Sequence, residues 1–229
     1  MNDFSSNFHP DKNSNSLHVG LIPDGGRRWA KNHNVSLSES YAVSRDLIVE
    51  IAKYLFSEGV VELSIYLSSV QNFRRTESEI NSFTTVTSNG ISNEILKLAK
   101  LENTEVKVVG DDSSLSSKTI SLLANHNKKL NNKYSRRINL CISYNPSEEI
   151  EYAIKQREGD SSFVEYLWVK KPVDLIIRTG GANLTSNFLP LQSGFARLYF
   201  LDELFNDIGL SSVASIIEGF NKLNRKFGD

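Results

Sequence analysis

One carboxylate, two glycines and two arginines follow a short apolar run near the start of the chain. The stretch Leu21–Trp29 reads LIPDGGRRW, and Asp24 precedes the glycines and arginines. Bare glycine N–H groups at the beginning of a helix attract an anion, and guanidinium groups match phosphate oxygens. A carboxylate would repel a phosphate at this place. Its presence is explained if it binds a Mg²⁺ ion that also binds the phosphate. A structural turn with a solvated charge cluster is the alternative interpretation of this stretch taken alone.

Two further loops carry similar donors. The apolar run Val60–Leu67 leads into a polar turn with Asn72 and Arg75, and Asp174–Arg178 leads into Thr179–Gly181. Such runs alternate with helical patterns, which predicts an α/β fold: a single domain with a central, mostly parallel six-stranded sheet flanked by helices. Since the carboxyl ends of parallel strands meet at one edge, we expect the three loops to converge. Their convergence predicts a site for one or two polyanionic groups, most simply diphosphates.

The elements that position these loops follow from apolar periodicity and turn residues. A helix is expected to begin near Arg27, the stretch 77–101 is read as one or two helices, and 161–171 is left unassigned. The predicted strands cover 17–22, 60–67, 105–109, 137–143, 174–178 and 197–200, and the other predicted helices cover 37–56, 115–134, 147–156 and 210–226.

Composition excludes several classes of protein. The chain has 229 residues, 39% apolar and 23% charged, with a net charge of −1, which favours one globular domain and argues against a nucleic-acid-binding surface. A single cysteine, Cys141, excludes an internal disulfide and a cysteine-based zinc site.

No apolar run is long enough for a transmembrane segment. Residues 1–16 are polar and lack a signal-peptide core, so we expect a flexible lead-in before a domain at 17–229, and a cytoplasmic location.

Three signatures resemble those of a known family. Pro23–Ala30 (PDGGRRWA) is similar to M-D-G-N-x-R-W-A, and Tyr66–Arg75 (YLSSVQNFRR) is similar to Y-x-F-S-x-E-N-W-x-R. The third, Asp174–Gly181 (DLIIRTGG), is followed by Ser186 and by Leu198–Phe200. The chain therefore resembles the cis-prenyltransferases, the isoprenyl transferase group that includes undecaprenyl diphosphate synthase, over nearly its whole length.

This resemblance implies an enzyme, a transferase of prenyl groups that condenses isoprenoid diphosphates, in a homodimer. It implies an allylic prenyl diphosphate, dimethylallyl or longer, at the first signature and a second substrate, which includes isopentenyl diphosphate, nearer the third. By position, Asp24 matches the catalytic aspartate that binds Mg²⁺, and Asn72 matches an asparagine implicated in proton removal. The resemblance assigns substrate contacts to Gly25, Gly26, Arg27, Arg28, Trp29, Tyr41, Ser69, Phe73, Arg75, Arg178 and Ser186.

The chain also departs from the family pattern. Leu37 and Tyr41 stand where an arginine and a histidine are usual, and Leu184 replaces an arginine that helps to bind the second diphosphate. These changes resemble the short-chain, irregular branch with lavandulyl- and cyclolavandulyl-type diphosphate synthases. We expect Leu37 and Tyr41 to face the first substrate. Arg197 replaces a glutamate of the metal site, and we expect it to contact the diphosphate directly rather than to form an ion pair with nearby acidic residues.

Three functions follow from the sequence. The first is a short-chain, irregular prenyltransferase that uses Mg²⁺ to ionise an allylic diphosphate. The second is a regular chain-elongating synthase that uses isopentenyl diphosphate. The third is a non-catalytic partner subunit of a heterodimeric enzyme, which the intact Asp24 and Asn72 oppose. Product length is expected to depend on the space between the helices at 37–56 and 77–101.

Overall fold

Six parallel strands form one central sheet in the computed structural model, which describes residues 16–69 and 76–223. The order across the sheet is β3-β4-β2-β1-β5-β6, and every pair is parallel. The α/β prediction is confirmed, and the sheet is parallel throughout rather than mostly so. The strands are β1 (Leu17–Ile22), β2 (Val60–Tyr66), β3 (Thr104–Gly110), β4 (Arg136–Ile142), β5 (Leu175–Arg178) and β6 (Arg197–Phe200).

Helices cover both faces of this sheet. The predicted helix at 77–101 is interrupted by a π-helical turn at Ile91–Ile95, and the unassigned stretch contains a 3₁₀ turn at Phe163–Tyr166. A second 3₁₀ turn spans Phe205–Asp207. The α-helices are α1 (Gly26–His33), α2 (Leu37–Ser57), α3 (Glu77–Gly90), α4 (Leu96–Leu101), α5 (Ser117–Leu130), α6 (Pro146–Gln156) and α7 (Leu210–Asn221).

Two apolar clusters pack against the sheet, one on each face. The larger joins strand residues such as Leu63 and Ile138 to α2, α4 and α7, and the smaller centres on Cys141, Tyr144 and Phe188. A sheet covered on both faces is expected to have nearly continuous apolar strands, which β1 has. Within the described residues, no helix combines the length and apolarity needed to cross a membrane.

The strand register places the predicted loops at one edge. Ile22 lies opposite Arg178, and Arg178 lies opposite Phe200 in the next strand. β1 lies between β2 and β5. The strands that follow β1 are placed first on its β2 side and later on its β5 side, so the strand order switches direction at β1. Ligands of parallel sheets bind outside the carboxyl ends of the strands at such a point. The first and third loops meet there, whereas most of the second loop, residues 70–75, lies outside the described residues.

Candidate active site

The loop after β1 is fixed by backbone contacts from two other segments. The Asp24 amide donates to Thr179 Oγ1 at 3.0 Å, and that hydroxyl donates to the Asp24 carbonyl at 2.8 Å. The Phe205 amide donates to the same carbonyl at 3.0 Å. Gly25 has φ +120°, and a Cβ there would lie 2.9 Å from Leu204, so the turn requires glycine. The position of the Asp24 side chain is thus set by β5 and by the segment after β6.

The first turn of α1 is open to an anion. Its N-cap, Gly25, offers no side-chain cap, and the first turn contains no acidic residue. The free N–H groups of a helix start, together with the helix dipole, favour negative charge. Ser40 of α2 donates from Oγ to the Gly26 carbonyl at 2.8 Å, which joins α1 to α2 at this point.

Asp24 lies between two arginines. Its Oδ2 accepts from Arg178 Nη2 at 3.0 Å, and its Oδ1 lies 3.3 Å from Arg28 Nη2. The Arg178 side chain is only 8% exposed, against 55% for Arg28. A buried guanidinium is stable only with good partners. Arg178 is therefore fixed in advance, whereas Arg28 can follow a ligand.

The other end of the Arg178 guanidinium organises the loop after β5. Nη1 donates to the Leu184 carbonyl and to Ser186 Oγ, each at 2.7 Å, while the buried Nε has no hydrogen-bond partner. Ser186 has φ +52°, in the left-handed region that L-residues rarely adopt. The predicted pair Arg178 and Ser186 is thus in direct contact beside Asp24, at the place where a second diphosphate is expected.

Tyr66 is a residue of this edge that the sequence analysis did not single out. Its hydroxyl donates to the Ser186 carbonyl at 3.1 Å, and its ring stacks on Phe188 at 4.9 Å. Burial raises the pKa of Tyr66, so the hydroxyl keeps its proton at neutral pH. The sequence feature that could have identified Tyr66 was its position as the last residue of β2, within the second signature.

A cavity of about 460 Å³ opens at Asp24 and extends between α2, α3 and the sheet. Near its mouth Tyr41 and Phe83 make an edge-to-face contact at 5.8 Å between ring centroids. Its deeper walls are mainly apolar. Of the predicted site residues, Asp24, Gly25, Gly26, Arg27, Arg28 and Tyr41 line it, with Lys31, Arg45, Ile48, Ile65, Val86, Gly90, Ile91, Ile95 and Leu140 among the others.

The remaining predicted site residues lie in varied positions. Arg27 forms an ion pair with Glu79 of α3 at 3.6 Å and is more than half exposed. Ser69 is half-buried and forms a single parallel bridge with Tyr144. The structure therefore does not describe the predicted contacts of the second loop beyond Ser69, because Asn72, Phe73 and Arg75 lie outside the described residues.

Trp29 and Leu37 are not among the residues that line the cavity. The Trp29 indole donates from Nε1 to Asp207 at 2.7 Å, and its ring stacks on His33 at 4.2 Å. Trp29 therefore holds α1 against the 3₁₀ turn at Phe205–Asp207. These positions favour a structural role for Trp29 over substrate contact, and of the pair Leu37 and Tyr41 only Tyr41 faces the cavity.

Arg197 lies at the amino end of β6, far from Asp24 within one chain. It is paired with Leu175, while Phe200, three residues later, is at the level of Arg178. Three residues of strand span about 10 Å. Arg197 is exposed, and no ion pair with Asp202, Glu203 or Asp207 is present in the described part of the chain. The ion pair of Arg197 is thus not formed within a single chain, and its contact with the diphosphate stays a prediction.

The residues at this edge fit Mg²⁺ only if the ion shares a phosphate ligand. Within residues 16–69 and 76–223, no group of three or more His, Cys, Asp or Glu side chains could hold a metal. Asp24 supplies one carboxylate, and both its oxygens face arginines. Mg²⁺ commonly uses one or two carboxylates together with substrate phosphates, and Asp24 satisfies that minimal requirement.

Comparisons with known proteins agree with this geometry. Residues 22–228 match the Prenyltransf family, described as undecaprenyl diphosphate synthase. The chain belongs to the cis-prenyltransferase family. It is 31% identical over 221 residues to an isoprenyl transferase of Treponema denticola, covering 93% of this chain and 97% of the relative.

Solved structures show the same fold. Lavandulyl diphosphate synthase from Lavandula x intermedia, in complex with dimethylallyl diphosphate, aligns with a TM-score of 0.83 at 24% identity, over 93% of this chain and 98% of that one. A probable undecaprenyl diphosphate synthase from Campylobacter jejuni aligns with a TM-score of 0.72 at 24% identity, over 93% and 99%. Membership of the family confirms the prediction of an enzyme that transfers prenyl groups.

Proposed function

We propose that this cis-prenyltransferase joins two small allylic diphosphates into a short, irregular product of the lavandulyl type. The observation that carries the proposal is the size of the cavity, about 460 Å³. Pockets of roughly 300–1,000 Å³ enclose a drug-sized ligand. A short prenyl diphosphate is of that size, whereas a polyprenyl chain of eleven units is several times larger. The cavity wall is continuous with the core, because Ile48, Ile65 and Leu140 line the cavity and also belong to the main core cluster, which includes the fully buried Ile51 and Leu63.

The first substrate in this proposal is dimethylallyl diphosphate or a slightly longer homologue. Its diphosphate would lie at the first turn of α1, where Gly25 and Gly26 allow close approach and Arg28 can turn from Asp24 to phosphate oxygens. Its prenyl tail would extend into the apolar cavity past Tyr41 and Phe83. The apolar walls would exclude water and so protect an allylic cation from hydrolysis.

The second diphosphate would contact Arg178 and Ser186. Arg178 is already held between Asp24 and Ser186, so little reorganisation is needed to stabilise charge at this point. The neighbouring Leu184 adds no cation, and Arg178 would therefore carry most of this binding. The protonated Tyr66 hydroxyl holds the Ser186 carbonyl and so fixes the loop. Proton removal stays assigned to Asn72 by the family resemblance alone.

Magnesium belongs to the proposal as a shared ligand of protein and substrate. Asp24 would hold the ion together with phosphate oxygens, and no second protein ligand is required. Bound in this way, Mg²⁺ supplies positive charge that stabilises the departing diphosphate. In its absence Asp24 keeps Arg178 and Arg28 oriented towards the same place.

The irregular product is supported by the change at Leu37 and Tyr41. Neither side chain can supply the positive charge that arginine or histidine would give, and Tyr41 offers at most a hydroxyl at the cavity mouth. This loss of cationic donors matches the pattern by which the chain resembles the short-chain, irregular branch of the family. The alternative is regular elongation with isopentenyl diphosphate, which is favoured by the name of a 29% identical relative from Thermoplasma acidophilum, a tritrans,polycis-undecaprenyl-diphosphate synthase.

The proposal includes a homodimer in the cytoplasm. β6 is the edge strand of the sheet, and beside it Phe195 and Leu198 are 47% and 46% exposed. Large apolar side chains on an unpaired edge strand favour contact with another copy. Arg197 lies on the same exposed strand, so the expected effect of Arg197 on the diphosphate site would have to act across that contact.

Incubation of the purified protein with Mg²⁺ and dimethylallyl diphosphate, alone or with isopentenyl diphosphate, tests the proposed function. We expect a branched ten-carbon diphosphate from dimethylallyl diphosphate alone, identified after dephosphorylation by mass spectrometry and NMR. A linear product that forms only when isopentenyl diphosphate is present would instead establish regular elongation. The absence of any product under both conditions would contradict both functions.

A further inference from the structure

An arginine faces the apolar cavity at the contact between α2 and α3. Arg45 lines the cavity among mainly apolar neighbours such as Ile48 and Ile91. The Arg45 side chain is 28% exposed, and its Nη2 lies 2.8 Å from Oδ1 of the adjacent Asp46. Because a charged group beside a hydrocarbon chain is unfavourable unless it keeps its partners, Arg45 restricts what can occupy this part of the cavity.

Glu94, in the π-helical turn after α3, lies opposite Arg45. Its Oε2 is 4.0 Å from Arg45 Nε, and this oxygen is buried without a hydrogen bond. The two side chains therefore attract each other across the gap between the helices without a direct hydrogen bond. π-Helical turns are frequent at functional sites, because they change which residues a helix presents to one side.

Gly90 makes room for the arginine. A Cβ at this position would lie 2.8 Å from Arg45 Cδ and 3.0 Å from its Cγ. The aliphatic part of Arg45 thus fills the space that a side chain at position 90 would otherwise occupy. Arg45, Gly90 and Glu94 together close the gap between α2 and α3, and we call these three residues the lateral wall.

The lateral wall lies deeper than the cavity mouth. α2 and α3 both begin beside α1, through the Ser40–Gly26 hydrogen bond and the Arg27–Glu79 ion pair. Tyr41 and Arg45 are separated by one helical turn, which is about 6 Å along the axis. A prenyl tail would therefore pass Tyr41 before it reaches the lateral wall.

We propose that the Arg45–Glu94 pair is a specificity determinant that limits the length of the prenyl tail that the cavity admits. The inference rests on the proposed function, in which the prenyl tail enters this cavity. Beneath the cavity the core is close-packed, so the gap between α2 and α3 is the remaining direction in which a longer tail could extend. Extension there would require the tail to separate Arg45 from Glu94 and to desolvate both charges. Removal of either charge should permit a longer product.

Product length in matched variants tests this inference. The full chain, with Mg²⁺, dimethylallyl diphosphate and a ten-carbon allylic diphosphate, is compared as wild type, Arg45→Met, Arg45→Lys and Glu94→Gln. Met keeps most of the aliphatic stem without the charge, and Lys keeps the charge. We expect Arg45→Met and Glu94→Gln to accept the ten-carbon substrate and so to form a main product one prenyl unit longer than that of the wild type, and Arg45→Lys to leave the product length unchanged.

Arg136→Met is the matched control. Arg136 has the same 28% exposure and pairs with Glu102 at the opposite end of the sheet, so this variant loses an equivalent ion pair outside the cavity. It should give the wild-type product length. Unchanged length in both Arg45→Met and Glu94→Gln, with prenyl transfer intact, would overturn the inference and leave the proposed function standing. A long polyprenyl product that the wild type forms with dimethylallyl and isopentenyl diphosphates would overturn both, and would be seen without any variant.

Discussion

At the scale of single residues, the site depends on a carboxylate between two arginines of unequal mobility. Arg178 is buried and holds Asp24, Ser186 and the Leu184 carbonyl at once, whereas Arg28 is more than half exposed. This arrangement presents fixed positive charge on one side of Asp24 and adaptable charge on the other. Preorganised charge of this kind is usually the largest single contribution to stabilising a transition state.

Asp24→Asn should abolish turnover while leaving the fold intact. The amide keeps the size of the side chain but loses the negative charge that orients both arginines and would hold Mg²⁺. Loss of a main electrostatic stabiliser costs about 10²-fold or more in kcat. Steady-state kinetics with a circular dichroism check measures this effect. Asp112→Asn, an exposed carboxylate after β3 at the same sheet edge, should retain wild-type kcat. An Asp24→Asn enzyme with a tenth of wild-type kcat would contradict the assignment.

Arg178→Lys should raise the KM for one substrate selectively. A lysine ammonium cannot reach Asp24 and Ser186 simultaneously, because it lacks the forked geometry of the guanidinium. KM values measured separately for the allylic diphosphate and for the second substrate reveal the selectivity. Arg136→Lys, at the opposite end of the sheet, should change neither. Equal KM values for both substrates in Arg178→Lys and wild type would reject its role in binding.

At the scale of elements, the sequence predicts the sheet better than it predicts the site. Apolar runs were sufficient to predict all six strands. Central strands such as β1 and β5 are buried on both faces and are therefore nearly continuous in apolar residues, whereas the edge strand β6 is exposed to half-buried. The π-helical turn at Ile91–Ile95 was not predicted, since it depends on tertiary contacts such as the Ser92–Thr119 hydrogen bond at 3.0 Å. The contacts of Trp29 and Arg197 were not predicted either. A sequence motif indicates which residues belong to a site. The direction of each side chain is set by neighbours that are distant in sequence.

The contact of β1 with β2 predicts a pH dependence of stability. The His18 ring is buried, with Nδ1 3.0 Å from the Lys171 carbonyl and Nε2 2.8 Å from Ser64 Oγ. Burial lowers the pKa of His18 from its usual 6.5, although Glu62 and Asp174 act in the opposite direction. Between the lowered pKa and 6.5, the unfolded chain binds a proton that the native protein does not. The free energy of unfolding should therefore decrease as the pH is lowered through this range, by up to about 1.4 kcal/mol per pH unit.

This dependence is measured by urea unfolding between pH 7.5 and pH 5, with roughly one denaturation curve recorded for each half unit of pH. His18→Gln should have a shallower pH slope than the wild type, because the titrating group is gone. His33→Gln changes an exposed histidine of α1 and should keep the wild-type slope. Identical slopes in His18→Gln and wild type would show that His18 does not titrate in this range.

At the scale of the whole molecule, the sheet has two dissimilar edges. β3 ends one side, and β6 ends the other with the exposed apolar side chains of Phe195 and Leu198. Because β6 is short and follows the loop that carries Ser186, contact with a second copy there would also stabilise the diphosphate site. The proposed assembly is therefore expected to influence the edge at which chemistry is proposed.

Leu198→Glu should convert the proposed dimer into a monomer. A buried glutamate at an apolar interface would lose hydration without gaining a partner. Size-exclusion chromatography with light scattering gives the mass directly. Leu101→Glu alters an even more exposed leucine, 75% exposed at the end of α4, and should leave the mass at the wild-type value. A monomeric wild type, or an unchanged mass for Leu198→Glu, would contradict the proposed interface.

The cavity between α2 and α3 is proposed to admit only a short prenyl chain. The most direct measurement is the mass of the product that the wild-type enzyme forms with Mg²⁺, dimethylallyl diphosphate and a large excess of isopentenyl diphosphate. A cavity of about 460 Å³ predicts that the product remains within a few prenyl units however large the excess. A ladder of products that extends to long polyprenyl diphosphates would contradict this limit on chain length.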